Sequence, residues 1–146
     1  MPTFEDRAVG AFLGLALGDA YGRPLEFINA PRVYNHPVDT SRLMWTDDTH
    51  MALYLANAVP EPGVRFDPNR FGQEVADQFL AWASDPLTPS TAPGNTCLSA
   101  VARYASGIPW EEAGIARSDG CGAVMRIVPL PIRFSGKELG LAARIS

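Results

Sequence analysis

Prolines punctuate this chain, and between them the apolar residues recur at helical spacing. The sequence therefore predicts helices of moderate length separated by short breaks. Thr3 and Asp6 stand three apart, as in a capping box. Ala8, Phe12, Leu15 and Ala16 then follow one helical face until Gly22-Arg23-Pro24 stops it. Residues 27–44 carry Pro31, Asn35 and Pro37 without a period and read as loop. A second helix is predicted from Thr46 or Asp47 to about Val59, carrying Met51, Leu53, Tyr54 and Leu55, with Pro60 and Pro62 after it. A third takes Asp67 as its N-cap and Pro68 as its first residue, and lines its apolar face with Phe71, Val75, Phe79 and Trp82. After a proline-rich loop at 85–93, a fourth runs from Asn95 or Thr96 to Ala105. It turns Leu98, Val101 and Ala102 inward and ends at Gly107-Ile108-Pro109.

Residues 118–122 form a turn of small residues leading into a short helix. Residues 130–134 can be briefly extended, and Ser135 with Glu138 opens a last helix at Lys137. No segment alternates convincingly with period two, so the predicted class is all-α. Gly10, Gly14 and Gly18 fall four apart on one face of the first helix. Each costs roughly 1 kcal/mol against alanine. Three on one stripe predict that a backbone or a ligand packs closely there.

Hydrophobic residues make up 47% of the 146, enough for a core and too many for a disordered chain. A net charge of −4 opposes non-specific nucleic-acid binding, and the Lys and Arg form no run that would seek a membrane surface. No stretch is long and apolar enough to span a bilayer. The N-terminus lacks the basic region of a secretory signal, so a cytoplasmic location is expected, with Cys97 and Cys121 reduced.

The chemistry concentrates in Trp45-Thr46-Asp47-Asp48-Thr49, at the start of the second helix. Adjacent side chains inside a helix diverge by about 100°, but at its N-terminal end the cap residue lies outside the helix and neighbours can converge. Two carboxylates and a hydroxyl there suit Mg²⁺ or Mn²⁺, which prefer oxygen. The same residues also suit plain N-capping and the positive helix end. Glu26 follows a glycine–proline turn; it is either a carboxylate beside that cluster, placed for proton transfer, or a surface glutamate. The small residues from Gly120 to Ala123 either cradle a phosphate on backbone N–H groups or simply turn the chain into a helix. Arg126 suits a phosphate or an interior carboxylate. His36 and His50 form no recognisable pairing with Cys121, and zinc-ligand spacing is absent.

The order of four blocks is specific where each alone is not. Gly18-Asp19-Ala20-Tyr21-Gly22-Arg23-Pro24-Leu25-Glu26, Trp45-Thr46-Asp47-Asp48-Thr49-His50-Met51, Ala92-Pro93-Gly94-Asn95-Thr96-Cys97-Leu98 and Gly120-Cys121-Gly122-Ala123-Val124-Met125-Arg126 resemble the ADP-ribosylglycohydrolase family, which includes DraG-type enzymes and J1 crystallins. The resemblance implies a compact multi-helix all-α fold with a binuclear Mg²⁺ or Mn²⁺ centre. It implies Thr46, Asp47 and Asp48 as metal ligands, with Glu26, Asp47 and Asp48 catalytic. It places Ser118, Gly120, Cys121, Gly122, Ala123 and Met125 against the ADP-ribose. Many relatives carry asparagine where Cys121 stands.

The implied reaction is hydrolysis of the glycosidic bond between ADP-ribose and a protein side chain or small acceptor. The alternative is a non-catalytic structural or ADP-ribose-binding protein on the same fold. Family members are roughly twice as long and carry a second acidic group near their C-terminus, whereas no aspartate follows Asp119 here. Residues 1–146 are therefore expected to be the N-terminal portion of such a domain. The second metal site would be incomplete, activity impaired, and apolar faces left open to self-association.

Overall fold

The computed structural model describes residues 1–33, 36–118 and 120–146. The loop reading at Asn35 and the aspartate at 119 lie outside the described residues. Among them the chain is all-helical. The long elements are α1 (Phe4–Gly22), α3 (Asp47–Ala58), α4 (Pro68–Ser84), α5 (Asn95–Ala105) and α9 (Gly136–Ile145). Short helical turns lie between: α2 (Ala30–Val33), α6 (Trp110–Ala113), α7 (Gly122–Met125) and α8 (Pro129–Arg133).

Local chemistry sets the boundaries. Thr3 and Asp6 form the reciprocal capping box at the start of α1. Asp67 accepts from the backbone of Asn69 and Arg70, and Pro68 occupies the first helical position of α4. Such caps are worth about 1 kcal/mol each.

Burial then fixes how the helices meet. Met51, Leu55 and Ala58 on α3 pack with Phe71, Val75, Phe79 and Trp82 on α4, and Val101, Leu130, Phe134 and Ala142 close the core. Phe66, Phe71 and Phe134 stack as a tilted trio with centroids 4.8–5.6 Å apart. Arg133 ties the loop after α3 to this core by donating to the carbonyls of Pro60 and Val64 at 2.9 and 2.8 Å. At the other end of α4, Asp85 accepts from the Tyr54 hydroxyl at 2.7 Å and stands 3.5 Å from Nε2 of buried His50. The first anchor holds the loop that follows α3, and the second holds α3 itself through His50 and Tyr54.

Some local expectations fail. Residues 27–44 are not all loop, since α2 and a 3₁₀ turn at Thr40–Arg42 lie there. Residues 129–133 are helical rather than extended, because Pro129 and Pro131 fall in a first turn, where a missing N–H costs little. Ser135 precedes α9 without bonding it by its side chain, so no capping box forms with Glu138. Ala102 is exposed although Val101 beside it is buried. Among the described residues no backbone packs against the glycine stripe, since a Cβ built on Gly10, Gly14 or Gly18 meets no atom within 4 Å. Nearby, Val9, Leu13 and Leu17, four apart on α1, are more than half exposed.

The glycines make a sharp test. Gly14→Ala adds a methyl in open space within a helix, so it is expected to stabilise the chain by about 0.5–1 kcal/mol in urea unfolding. Gly72→Ala drives its methyl onto the Trp110 indole, 2.5 Å from where the Cβ would stand, and is expected to destabilise.

Candidate active site at the start of α3

Thr46 is the N-cap of α3, and Asp47 and Asp48 are its first two residues. Thr46 and Asp47 are buried and Asp48 half-buried. The turn is held from α1. Asp19 Oδ2 accepts the N–H of Thr46 at 2.8 Å, the N–H of Thr49 at 3.2 Å and the Thr49 hydroxyl at 2.6 Å. Its Oδ1 accepts the Thr46 hydroxyl at 2.7 Å. A carboxylate from another helix thus takes over much of the capping that Thr46 performs weakly, its own bond to Asp48 N–H being 3.4 Å long.

Asp47 is fixed from α5. Its Oδ2 accepts the backbone N–H of Gly94 at 3.0 Å. The same α5 entry meets the small-residue turn, because the hydroxyls of Thr96 and Ser118 lie 3.0 Å apart. A Cβ on Gly122 would stand 2.8 Å from Cys97 Sγ, so only glycine lets residues 120–123 lie this close. The acidic turn and the 120–123 turn are thereby gathered on one side of α5's first turn. Cys121, Ala123, Gly120 and Ser118 are exposed there; Gly122 and Met125 are half-buried. Gly120 N–H is already engaged by Ser118 Oγ at 3.1 Å. Glu26, exposed at the end of the 3₁₀ turn Arg23–Leu25, stands close enough for its charge to act on Asp48.

Arg126 turns inward. It lies over the Phe79 ring at 4.4 Å and points Nη1 at Cys97 Sγ, 3.5 Å away. Burial pushes its pKa down from the usual guanidinium value, and its Nε finds no partner among the described residues. Its charge still draws the Asp47 carboxyl downward, against a larger upward push from burial.

The donor chemistry fits a hard cation. All the donors are oxygen, and the negative charges crowd one another with no ion pair to them among the described residues. The carboxyl of Asp48 is raised above the ordinary carboxylate range, first by burial and then by the charges of Asp19, Asp47 and Glu26. The set is nonetheless sparse: among the described residues no three acidic, His or Cys side chains converge as a metal cage. That suits an ion such as Mg²⁺, which keeps much of its water and takes one or two carboxylates. A cavity of about 290 Å³ between the end of α3 and the start of α4, lined by Val59, Glu61, Arg65, Phe66 and Arg70, shares no residue with this cluster.

Sequence reasoning quoted Asp19 and Gly94 inside motifs without giving them roles. The signal for Asp19 was the Thr46-x-x-Thr49 spacing, which puts two hydroxyls on one side of a helix start with no acceptor of their own nearby.

A carboxyl whose folded pKa is raised holds its proton more readily folded than unfolded. It favours the fold at acid pH and loses that benefit as pH climbs from about 4 through the folded value. Asp48→Asn carries no such charge. It is expected to raise the thermal midpoint at pH 7 in metal-free buffer, with the gain vanishing below about pH 3.5, as measured by circular dichroism melts across pH.

The ADP-ribosylglycohydrolase family model matches residues 1–146. An uncharacterized protein of Archaeoglobus fulgidus is 33% identical over 89% of this chain and 44% of its own. The ADP-ribosyl-[dinitrogen reductase] glycohydrolase of Rhodospirillum rubrum is 30% identical over 96% of this chain and 49% of its own. The ADP-ribosylarginine hydrolase Tri1 of Pseudomonas putida is 32% identical over 87% and 36%. The chain thus spans less than half the length of these relatives. No solved structure matches it. With the match running the full 146 residues, and with the four ordered blocks inside it, the chain belongs to the ADP-ribosylglycohydrolase family.

Proposed function

We propose that residues 1–146 are the N-terminal portion of a metal-dependent ADP-ribosylglycohydrolase and contribute one side of its active site. The observation that carries this reading is the shared anchoring of two turns on α5. Asp47 is bonded to Gly94, and Ser118, beside the 120–123 turn, is bonded to Thr96. Thr46, Asp47 and Asp48 would hold Mg²⁺ or Mn²⁺, which supplies positive charge against the ribose oxygens and the charge developing at the glycosidic bond. Ser118, residues 120–123 and Met125 would lie along the ADP-ribose. Glu26, at the rim, would move a proton to or from the reacting group.

The substrate class follows from the relatives' names. Two are called ADP-ribosylarginine hydrolases and one acts on ADP-ribosyl-dinitrogen reductase, so an ADP-ribosylated protein side chain is the first acceptor to test. The proposed setting is the cytoplasm. No described helix is long and apolar enough to cross a membrane.

Two carboxylates and a hydroxyl hold a dication weakly. Calorimetric titration of the chain is expected to show Mn²⁺ binding that Asp47→Asn and Asp48→Asn each weaken by at least tenfold. Release of ADP-ribose from an ADP-ribosylated arginine peptide should fall far below that of a full-length relative run alongside. Silence toward both Mn²⁺ and ADP-ribose would sink the enzyme reading and leave a structural protein on the same fold.

We also propose that the exposed Val9, Leu13 and Leu17 drive self-association, because an open apolar stripe on a helix gains by being covered. Sedimentation should show an apparent mass that rises with concentration, and Leu13→Gln with Leu17→Gln should abolish the rise.

A further inference from the structure

Asp19 is not among the residues proposed to hold the cation, yet its carboxylate accepts both polar hydrogens of Thr46 and both of Thr49. A hydroxyl carries one proton and two lone pairs. With its proton directed to Asp19 Oδ1 at 2.7 Å, Thr46 Oγ1 has only acceptor capacity left, and the Asp48 N–H claims it loosely at 3.4 Å. An oxygen so oriented offers electron pairs to a cation; one with its proton outward would repel it.

We propose that Asp19 is a positioning residue for the cation site: it accepts the hydrogen bond from the Thr46 hydroxyl and clamps the first turn of α3, so that Thr46, Asp47 and Asp48 present oxygen together. The inference rests on the metal-dependent reading and adds a requirement to it. Asn cannot fill the role. Its amide has one acceptor oxygen and would aim N–H at one of the two donor sets, either the Thr46 hydroxyl on one side or the three donors on the other. Thr49 serves the clamp alone, because its hydroxyl also ends on Asp19 but starts from the third residue of α3, inside the helix rather than at its cap.

Two variants separate positioning from mere stability. Asp19→Asn is expected to raise the Mn²⁺ dissociation constant at least tenfold while the far-ultraviolet circular dichroism stays helical. Thr49→Val removes one donor from the same carboxylate, so it should lower the thermal midpoint while changing Mn²⁺ affinity less than threefold. A merely structural Asp19 would make the two variants lose affinity in step with their loss of stability, and that result overturns the proposal. Unchanged Mn²⁺ binding by Asp19→Asn, with the wild-type chain binding, overturns it alone. A wild-type chain that takes up no Mn²⁺ overturns the metal reading and this inference with it. The wild-type protein gives a test free of variants. The Thr46 hydroxyl proton should exchange slowly with solvent by NMR and stay slow when Mg²⁺ saturates the chain; fast exchange on Mg²⁺ addition refutes the clamp.

Discussion

The carboxylate of Asp19 joins the two parts of this molecule that differ most in character. Its helix, α1, is largely exposed on its outer face, whereas α3 is buried along most of its length. Backbone N–H groups at a helix start have no partner inside the helix, and burying them unpaired would cost about 1–3 kcal/mol each. Asp19 meets two of them and two hydroxyls as well. The negative charge also faces the positive end of the helix. One short side chain therefore settles where α1 lies and how the buried start of α3 is satisfied.

The same arrangement concentrates negative charge. Asp19, Asp47, Asp48 and Glu26 act on one another, and the nearest compensation, Arg126, reaches only Asp47 and from beneath. Burial raises both aspartates of the α3 turn, so the folded chain bears a strain that bulk water would relieve. A fold meant only to be stable gains nothing by this. A dication held as proposed would gain affinity from it, because its charge would remove repulsion that the folded chain already carries.

The helices were legible because their signals are local. Thr3 with Asp6, and Asp67 with Pro68, fix two starts, and the four-residue spacing of Phe71, Val75 and Phe79 fixes the buried face of α4. What could not be read is what depends on partners far along the chain. Gly10, Gly14 and Gly18 signalled close packing, yet nothing among the described residues approaches them, since a small-residue stripe records that a neighbour fits and not which one. Arg126 suited a phosphate or an interior carboxylate by residue type, and its packing on Phe79 and Cys97, from α4 and α5, could not be read along the chain. The acidic turn itself was legible as residue types. Its support from Asp19 and Gly94 was not, because those contacts span 27 and 47 residues.

The entry to α5 shows how such distant contacts are made cheaply. Ala92 adopts a left-handed conformation, φ 56°, which an alanine takes at a cost of roughly 1 kcal/mol or more. The cost is met by the turn before it, where Thr91 is buried and bonded to the Thr88 carbonyl and Thr88 is bonded to the Trp82 carbonyl at the end of α4. The reversal brings Gly94 to Asp47 and Thr96 to Ser118 within three residues of chain. Gly94 is the N-cap of α5, and its N–H leads that helix's first turn, where donors are free by geometry. The core helix α4 thus supports the bend, the bend aims α5, and α5 sets the spacing between the acidic turn and the 120–123 turn. Position in this site is inherited from packing rather than from the side chains that would do the chemistry.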